Sequence, residues 1–375
     1  MRFTTLIFRN LLRRRMRTTL TVVGLAIGIS AVVALLGIAW GFERSFMTIY
    51  KSKGIDLIVV RAGTSDRLTS NIEESLGERL KAVPGVKALA ASLTDVVSFE
   101  QANLASVLAQ GWEPGSMLFR GIRILSGRAL RQDDKNAVMF GRVLAMNLQK
   151  KVGDPVDISG ERFEVVGIYE SDSIFENGGL LMPLKHLQWM MGRQGQVTAF
   201  VVSAEGAPEK AAIERLRDRI EKTLPKMAAL PAHDFVQSDI QIRLAKAMAW
   251  ATSVIAFILG SVGMLNTMVM AVFERTREIG VLRALGWRRK RVLTLIMGEA
   301  LALGLAGACL GTGLGYVGVR ALSVMPTARG FITSDLPPEV LLVGLGLGVG
   351  LSVLGGLYPA VRGASLEPTE ALRYE

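Results

Sequence analysis

Apolar positions along this chain fall into two regimes. In four stretches they run on without interruption by charge, and between the first and second of these they come in short bursts divided by turns. Thr18–Phe42 holds 25 residues without a charge, Ala247–Phe273 holds 27, Val340–Val361 holds 22, and Val292–Val319 holds 28 broken only by Glu299. A helix rises about 1.5 Å per residue, so about 20 apolar residues cross a hydrocarbon core of about 30 Å. The pattern predicts a membrane α-helical protein with four transmembrane spans in a 1+3 order, at 18–42, 247–273, 292–319 and 340–361.

The stretch between spans, 43–246, predicts a large extracytoplasmic α+β domain. Ile55–Arg61 reads as a strand, and Asn71–Val83 as a helix stopped by Pro84-Gly85. Val96–Phe99 and Leu104–Gln110 read as a strand pair around Gln101-Ala102-Asn103. Ala137–Phe140 reads as a strand leading into a short helix, Val143–Leu148. Asp154–Ile158 and Phe163–Tyr169 flank Ser159-Gly160 as a hairpin. Val197–Val202 is a further strand and Pro208–Leu224 a charged helix with Ile213, Leu216 and Ile220 on one face.

Charge sets the orientation. The chain carries +11 net, and its mean hydropathy is +0.35. The surplus sits in 1–17, with six arginines and no acid, and in 274–291, with seven basic residues and two acids, whereas 43–246 is nearly neutral. These are the membrane-flanking places where Lys and Arg mark the cytoplasmic side, so the excess is a topology signal and implies no nucleic-acid partner. The expected arrangement has a cytoplasmic N-terminus at 1–17, a cytoplasmic segment at 274–291, a short extracytoplasmic loop at 320–339 and a cytoplasmic tail at 362–375. The first run is too long for a signal-peptide core and is expected to stay as an uncleaved anchor. The single cysteine, Cys309, lies inside the third span and can form no intramolecular disulfide.

Catalytic chemistry is not suggested by these residues, and no catalytic or metal site is expected. His186 and His233 are the only histidines, without metal-ligand spacing. Asp133-Asp134 and Glu73-Glu74 read as solvated acids, and no nucleophile elbow occurs. Small-residue pairs suited to close helix contact are Gly24/Gly28, Gly37/Gly41, Gly307/Gly311 and Gly344/Gly348. Glu299 is eighth in its run, about 10 Å from the cytoplasmic end by helical rise. It is expected to snorkel, to pair with a nearby arginine or to bond across helices, with a role in transmitting motion as the alternative.

The most specific motif follows the second span: Glu274-Arg275-Thr276-Arg277-Glu278-Ile279-Gly280-Val281-Leu282-Arg283-Ala284-Leu285-Gly286. It predicts a short amphipathic helix with Ile279, Leu282 and Leu285 on one face and Gly286 at its end, fit to rest on lipid headgroups or to dock in a partner's groove. In its wording this segment resembles the cytoplasmic coupling segment of FtsX-like ABC transporter permeases, the family of macrolide-exporter (MacB-like) and lipoprotein-releasing proteins. Three other stretches carry the same resemblance. They are Asn10–Thr21, Leu357-Tyr358-Pro359-Ala360 with Leu366–Glu375, and the middle-domain pattern of Ala137–Gly153, Phe163–Ile168 and Met182-Pro183-Leu184, which is similar to a MacB-type periplasmic core domain. Gly363 stands where the family ending has Ala, and no Gly-Lys dipeptide, hence no phosphate-binding loop, occurs.

The resemblance implies a permease subunit, not itself an enzyme, in a bacterial inner membrane. It implies a separate cytoplasmic ATPase that holds ATP and Mg²⁺ and engages 274–286, a second permease copy as homodimer or heterodimer, and a periplasmic adaptor in the efflux branch. Movement of the extracytoplasmic domain would then export or release an amphipathic drug, peptide, lipid or lipoprotein. The alternative within the family is a non-transporting mechanical regulator of cell-wall hydrolases.

Overall fold

The computed structural model describes residues 7, 9–10, 13–63, 70–99, 102, 104–206, 209–325 and 336–367. The family-like ending at 368–375 and the turn residues Gln101 and Asn103 lie outside the described residues. Two compact units emerge: Gly41–Ala245 with Leu322–Thr333, and Met1–Trp40 with Lys246–Ala321 and Ser334–Glu375. The first is a sheet unit and the second a helical one.

In chain order, helix α1 (Arg15–Lys53) leads to β1 (Leu57–Arg61), β2 (Ile72–Glu73), α2 (Leu76–Lys81), β3 (Val86–Phe99), β4 (Leu104–Trp112) and β5 (Ile122–Gly127). Then come β6 (Ala137–Gly141), α3 (Arg142–Leu148), β7 (Pro155–Ile158), β8 (Glu161–Ser171), α4 (Ile174–Asn177), β9 (Leu180–Pro183) and α5 (Leu184–Met190). The sheet unit closes with β10 (Gln196–Val197), β11 (Ala199–Ala204), α6 (Lys210–Thr223), β12 (Met227–Pro231) and α7 (Ala232–Ser238). Four further helices follow: α8 (Ile240–Phe273), α9 (Thr276–Ala284), α10 (Arg289–Val324) and α11 (Pro338–Ser365).

The main sheet runs β12-β1-β11-β3-β4-β9-β6-β8-β5, with β7 paired to β8. Its two parallel joints are β4 with β9 and β6 with β8, and each needs a crossover. Alternation decides the faces: Leu57 and Val59 of β1 enter one core, Ile58 and Val60 the other. The first core is roofed by helices through Leu80, Leu144, Leu187, Leu216 and Ile220. The second gathers Trp112, Tyr169 and Phe235. The predicted β7–β8 hairpin forms with Ile158 opposite Glu161, and its two turn residues, Ser159 and Gly160, both take positive φ, 53° and 86°.

Several boundaries differ from the sequence reading. The segment 71–83 begins as strand β2, because Ile72 and Glu73 pair with Val197 and Gln196. The same pairing splits 197–202 into β10 and β11. The strand predicted at 96–99 reaches back to Val86, where β11 pairs with it. Strands β5, β9 and β12 had no clear signal in their own residues, since each is defined by a distant partner.

In the helical unit four helices are long and apolar enough to cross a membrane: Arg15–Lys53, Ile242–Phe273, Arg289–Val324 and Pro338–Ser365. All four exceed the predicted spans at one or both ends, because residues beyond each apolar run continue the helix. Leu25, Ile29, Val32, Val33 and Leu36 form the buried stripe of α1, facing Met264, Met268, Ile296, Leu303 and Leu351 in one core. Glycines let α10 approach its neighbours closely. A Cβ on Gly311 would stand 2.7 Å from Ala26 O, and one on Gly348 2.7 Å from Gly304 O. The pairs Gly307/Gly311 and Gly344/Gly348 are therefore spent on packing within the chain. At Gly24 and Gly28 a Cβ would have nothing within 4 Å.

Candidate functional site

The site is assembled where α8 ends. Helix α8 runs out at Phe273; Glu274 N–H still bonds Met270 O at 3.1 Å and Arg275 N–H bonds Val272 O at 3.1 Å. Arg275 then leaves helical geometry at φ −117°, ψ 14°, and α9 starts at Thr276. Thr276 Oγ1 donates to Phe273 O at 2.9 Å, tying the new helix to the old one. At the other end Trp287 N–H bonds Leu282 O at 3.1 Å, and Gly286 N–H bonds Arg283 O at 3.1 Å, with Gly286 at φ +91°. This double closure is the Schellman arrangement, which needs a left-handed residue at that place and explains Gly286.

The two sides of α9 differ. Thr276, Ile279 and Gly280 are buried, and Leu282 and Arg283 are half-buried, with Arg283 Nη1 donating to Trp287 O at 3.0 Å. Arg277, Glu278 and Ala284 are exposed. Of the apolar residues expected on one face, Ile279 is buried, Leu282 half-buried and Leu285 74% exposed, and Val281 is 42% exposed. The chain turns at Gly286, and among the described residues the last turn of α9 stays exposed. Beyond it, Arg291 stacks over the Trp287 ring at 4.6 Å.

On its buried side the segment is held by charge. Arg275 Nη1 donates to both carboxylate oxygens of Glu299, at 2.9 and 3.1 Å, and Arg275 Nη2 donates to Asn10 O at 3.1 Å. Asn10 Nδ2 donates to Glu299 Oε1 at 2.7 Å. Glu299 is 5% exposed, so this pair lies within a low-dielectric setting where charge-assisted bonds are strong and their loss is costly. Around it, Glu274 accepts from Arg17 at 2.6 Å and also pairs with Arg14, and Glu278 pairs with Arg13 at 3.3 Å. Residues from before α1 and its first turn, from the turn between α8 and α9, from α9 and from α10 thus converge. A nearby arginine is one of three expected arrangements for Glu299, and Arg275 takes that place. The sequence had no signal for Asn10, nor for Arg13, Arg14 and Arg17 as partners of Glu274 and Glu278, because those contacts span more than 250 positions. Among the described residues no group of three or more His, Cys, Asp or Glu stands together in a way that could hold a metal ion.

A MacB-like periplasmic core domain profile matches residues 18–222, and an FtsX-like permease C-terminal profile matches residues 250–368. The chain is similar to the uncharacterized ABC transporter permease YknZ of Bacillus subtilis (strain 168), 26% identical over 399 residues covering 98% of this chain and 97% of YknZ. It is also similar to the macrolide export ATP-binding/permease protein MacB of Bdellovibrio bacteriovorus, 25% identical over 404 residues covering 98% of this chain and 61% of that protein. A crystal structure of the extracellular domain of the noncanonic ABC-type transporter YknZ from Gram-positive bacteria covers 47% of this chain and 98% of that domain, with 17% identity and a TM-score of 0.37. With a MacB-like core domain matched over more than half its length and an FtsX-like permease region after it, the chain belongs to the MacB/FtsX-type family of ABC transporter permeases.

Proposed function

We propose that this permease is the transmembrane subunit of a transporter driven by a separate cytoplasmic ATPase, which holds ATP and Mg²⁺ and grips α9. One observation carries this reading. Helix α9 is clamped on one side through Arg275 and Glu299 while it leaves Val281, Ala284 and Leu285 uncovered beside Arg277, Glu278 and the basic run Arg288–Arg291. An apolar patch rimmed by charge is suited to a partner's groove, and a rigid attachment behind it passes displacement on. Force applied there would reach α10 through Glu299 and the segment before α1 through Asn10.

In this reading residues 274–291 and both termini face the cytoplasm of a bacterial inner membrane, and the sheet unit lies outside, where it moves an amphipathic drug, peptide, lipid or lipoprotein. A cleft of about 820 Å³ between α1 and α8, lined by Gly24, Gly28, Leu259 and Gly263, supports a second permease copy. An adaptor would join in the efflux setting. Affinity purification of the full chain from its native membrane tests the reading. Co-elution of an ATP-hydrolysing subunit is expected, and Leu285→Glu should release that subunit while the permease still inserts. A wild-type chain that elutes with no nucleotide hydrolase, or a Leu285→Glu variant that retains it fully, would remove the assignment.

A further inference from the structure

The sheet unit carries a groove of about 820 Å³ that the coupling machinery does not use. Its floor is the junction of β9 and α5, where Pro183 and Leu184 are buried. Trp189 stands on its wall, 57% exposed, although tryptophan is normally covered. Its position is fixed from behind. The His186 ring lies 5.6 Å from Trp189 at 65°, and the Phe163 ring, itself buried, lies 5.0 Å from His186 at 77°. Edge-to-face contacts of this kind orient rings, so Trp189 is a preset platform with an open face.

His186 Nε2 is buried and faces Glu161 Oε2 at 3.5 Å, so it is closed to the groove and steadies the ring behind Trp189.

The wall decides the ligand class. Eight of the twelve lining residues are polar, which disfavours a purely apolar guest. The carboxylates of Glu113 and Glu161 are matched by Lys135 and Lys185, and Asp134 is already held by Arg128 through two bonds of 2.7 Å. No sign of charge prevails, so neither an anion nor a cation is selected. What remains is a neutral guest with one apolar face and many hydroxyl edges. From the geometry we infer that this groove binds a saccharide, with a pyranose ring stacked on Trp189 and its hydroxyls meeting the exposed carboxamides of Gln132 and Asn136. The volume lies within the range of about 300–1,000 Å³ usual for small-molecule sites. The inference is independent of how the permease is driven.

A free glycan and a glycolipid headgroup present the same ring, so the experiment has an arm for each. The purified full chain, in a sugar-free detergent, is titrated calorimetrically with chitotriose and maltotriose, and separately with micelles doped with galactosylceramide. Binding of a soluble glycan, or of the doped micelles alone, is expected and assigns the source. Trp189→Ala should weaken that binding at least about tenfold and Gln132→Ala by severalfold, while Trp189→Phe stays within about threefold of the wild type. Both Trp189 and Gln132 are exposed, so circular dichroism should show these variants folded. Absence of binding to every probe up to about 10 mM, or wild-type binding by Trp189→Ala, would overturn the inference.

Discussion

Arg275 Nη1 alone reaches both carboxylate oxygens of Glu299, at 2.9 and 3.1 Å, where the α8–α9 turn meets the first turns of α10. Glu299→Ala strands Arg275, and removing one partner of a buried pair costs about 3–5 kcal/mol. Thermal melts of the purified chain should show that loss for either single substitution. The double variant Arg275→Leu/Glu299→Leu should recover much of it, because two apolar side chains carry no stranded charge. Stimulation of the ATPase should stay low in all three, since the rigid link is gone in each. Full stimulation in the double variant would mean that the pair serves stability alone.

A second buried pair lies in the sheet unit. Lys53 Nζ is 3.3 Å from a Glu176 oxygen with both side chains 1% exposed, and Lys53 also donates to Leu118 O at 2.6 Å. The Trp112 ring, 4.7 Å away, adds a cation–π contact. Lys53→Met should therefore destabilise by about 3–5 kcal/mol in denaturant titrations. Adding Glu176→Gln should return only part of this, because the Leu118 carbonyl still lacks its donor. Complete recovery would show that the carbonyl finds another partner.

Close packing of α10 on α11 leaves no space at Gly304, where a Cβ would stand 2.5 Å from Gly348 O. Gly304→Ala should cost about 1–3 kcal/mol and lower the yield of folded chain. Gly28→Ala has open space around it and should melt like the wild type. If a second copy fills the cleft along α1, Gly28→Ala should instead shift the oligomer distribution in cross-linking.

Acid should loosen the sheet unit. The guanidinium of Arg128 holds the Asp134 carboxyl below its ordinary range, helped by the Arg131 N–H, and Arg123 does the same for Glu170. A carboxyl depressed in the folded state contributes stability that is complete above its unfolded value, about 4 for both types, and is lost as pH falls through the lower folded value. Melting temperatures should thus decline from about pH 4 downward. Asp134→Asn should start lower at neutral pH and decline less. An equal acid slope in wild type and Asp134→Asn would rule out this pair as a contributor.

Local pattern was enough for much of this architecture. Four apolar runs gave four helices because length and composition alone decide whether a segment can satisfy its backbone in hydrocarbon. The β7–β8 hairpin and the helix after β6 were legible for the same reason: a tight turn and a change of period are written in adjacent residues. Gly286 ended α9 as its chemistry requires. The tertiary structure alone decided what touches what. Which apolar residues of α9 are buried within the chain, Ile279 but not Leu285, depends on the neighbours that the fold brings to it. Arg17 reads as a membrane flank yet meets Glu274, 257 positions away. The partners of Glu299, and the open face of Trp189 above His186, arise only when distant segments are brought together, and no short-range rule records such a meeting.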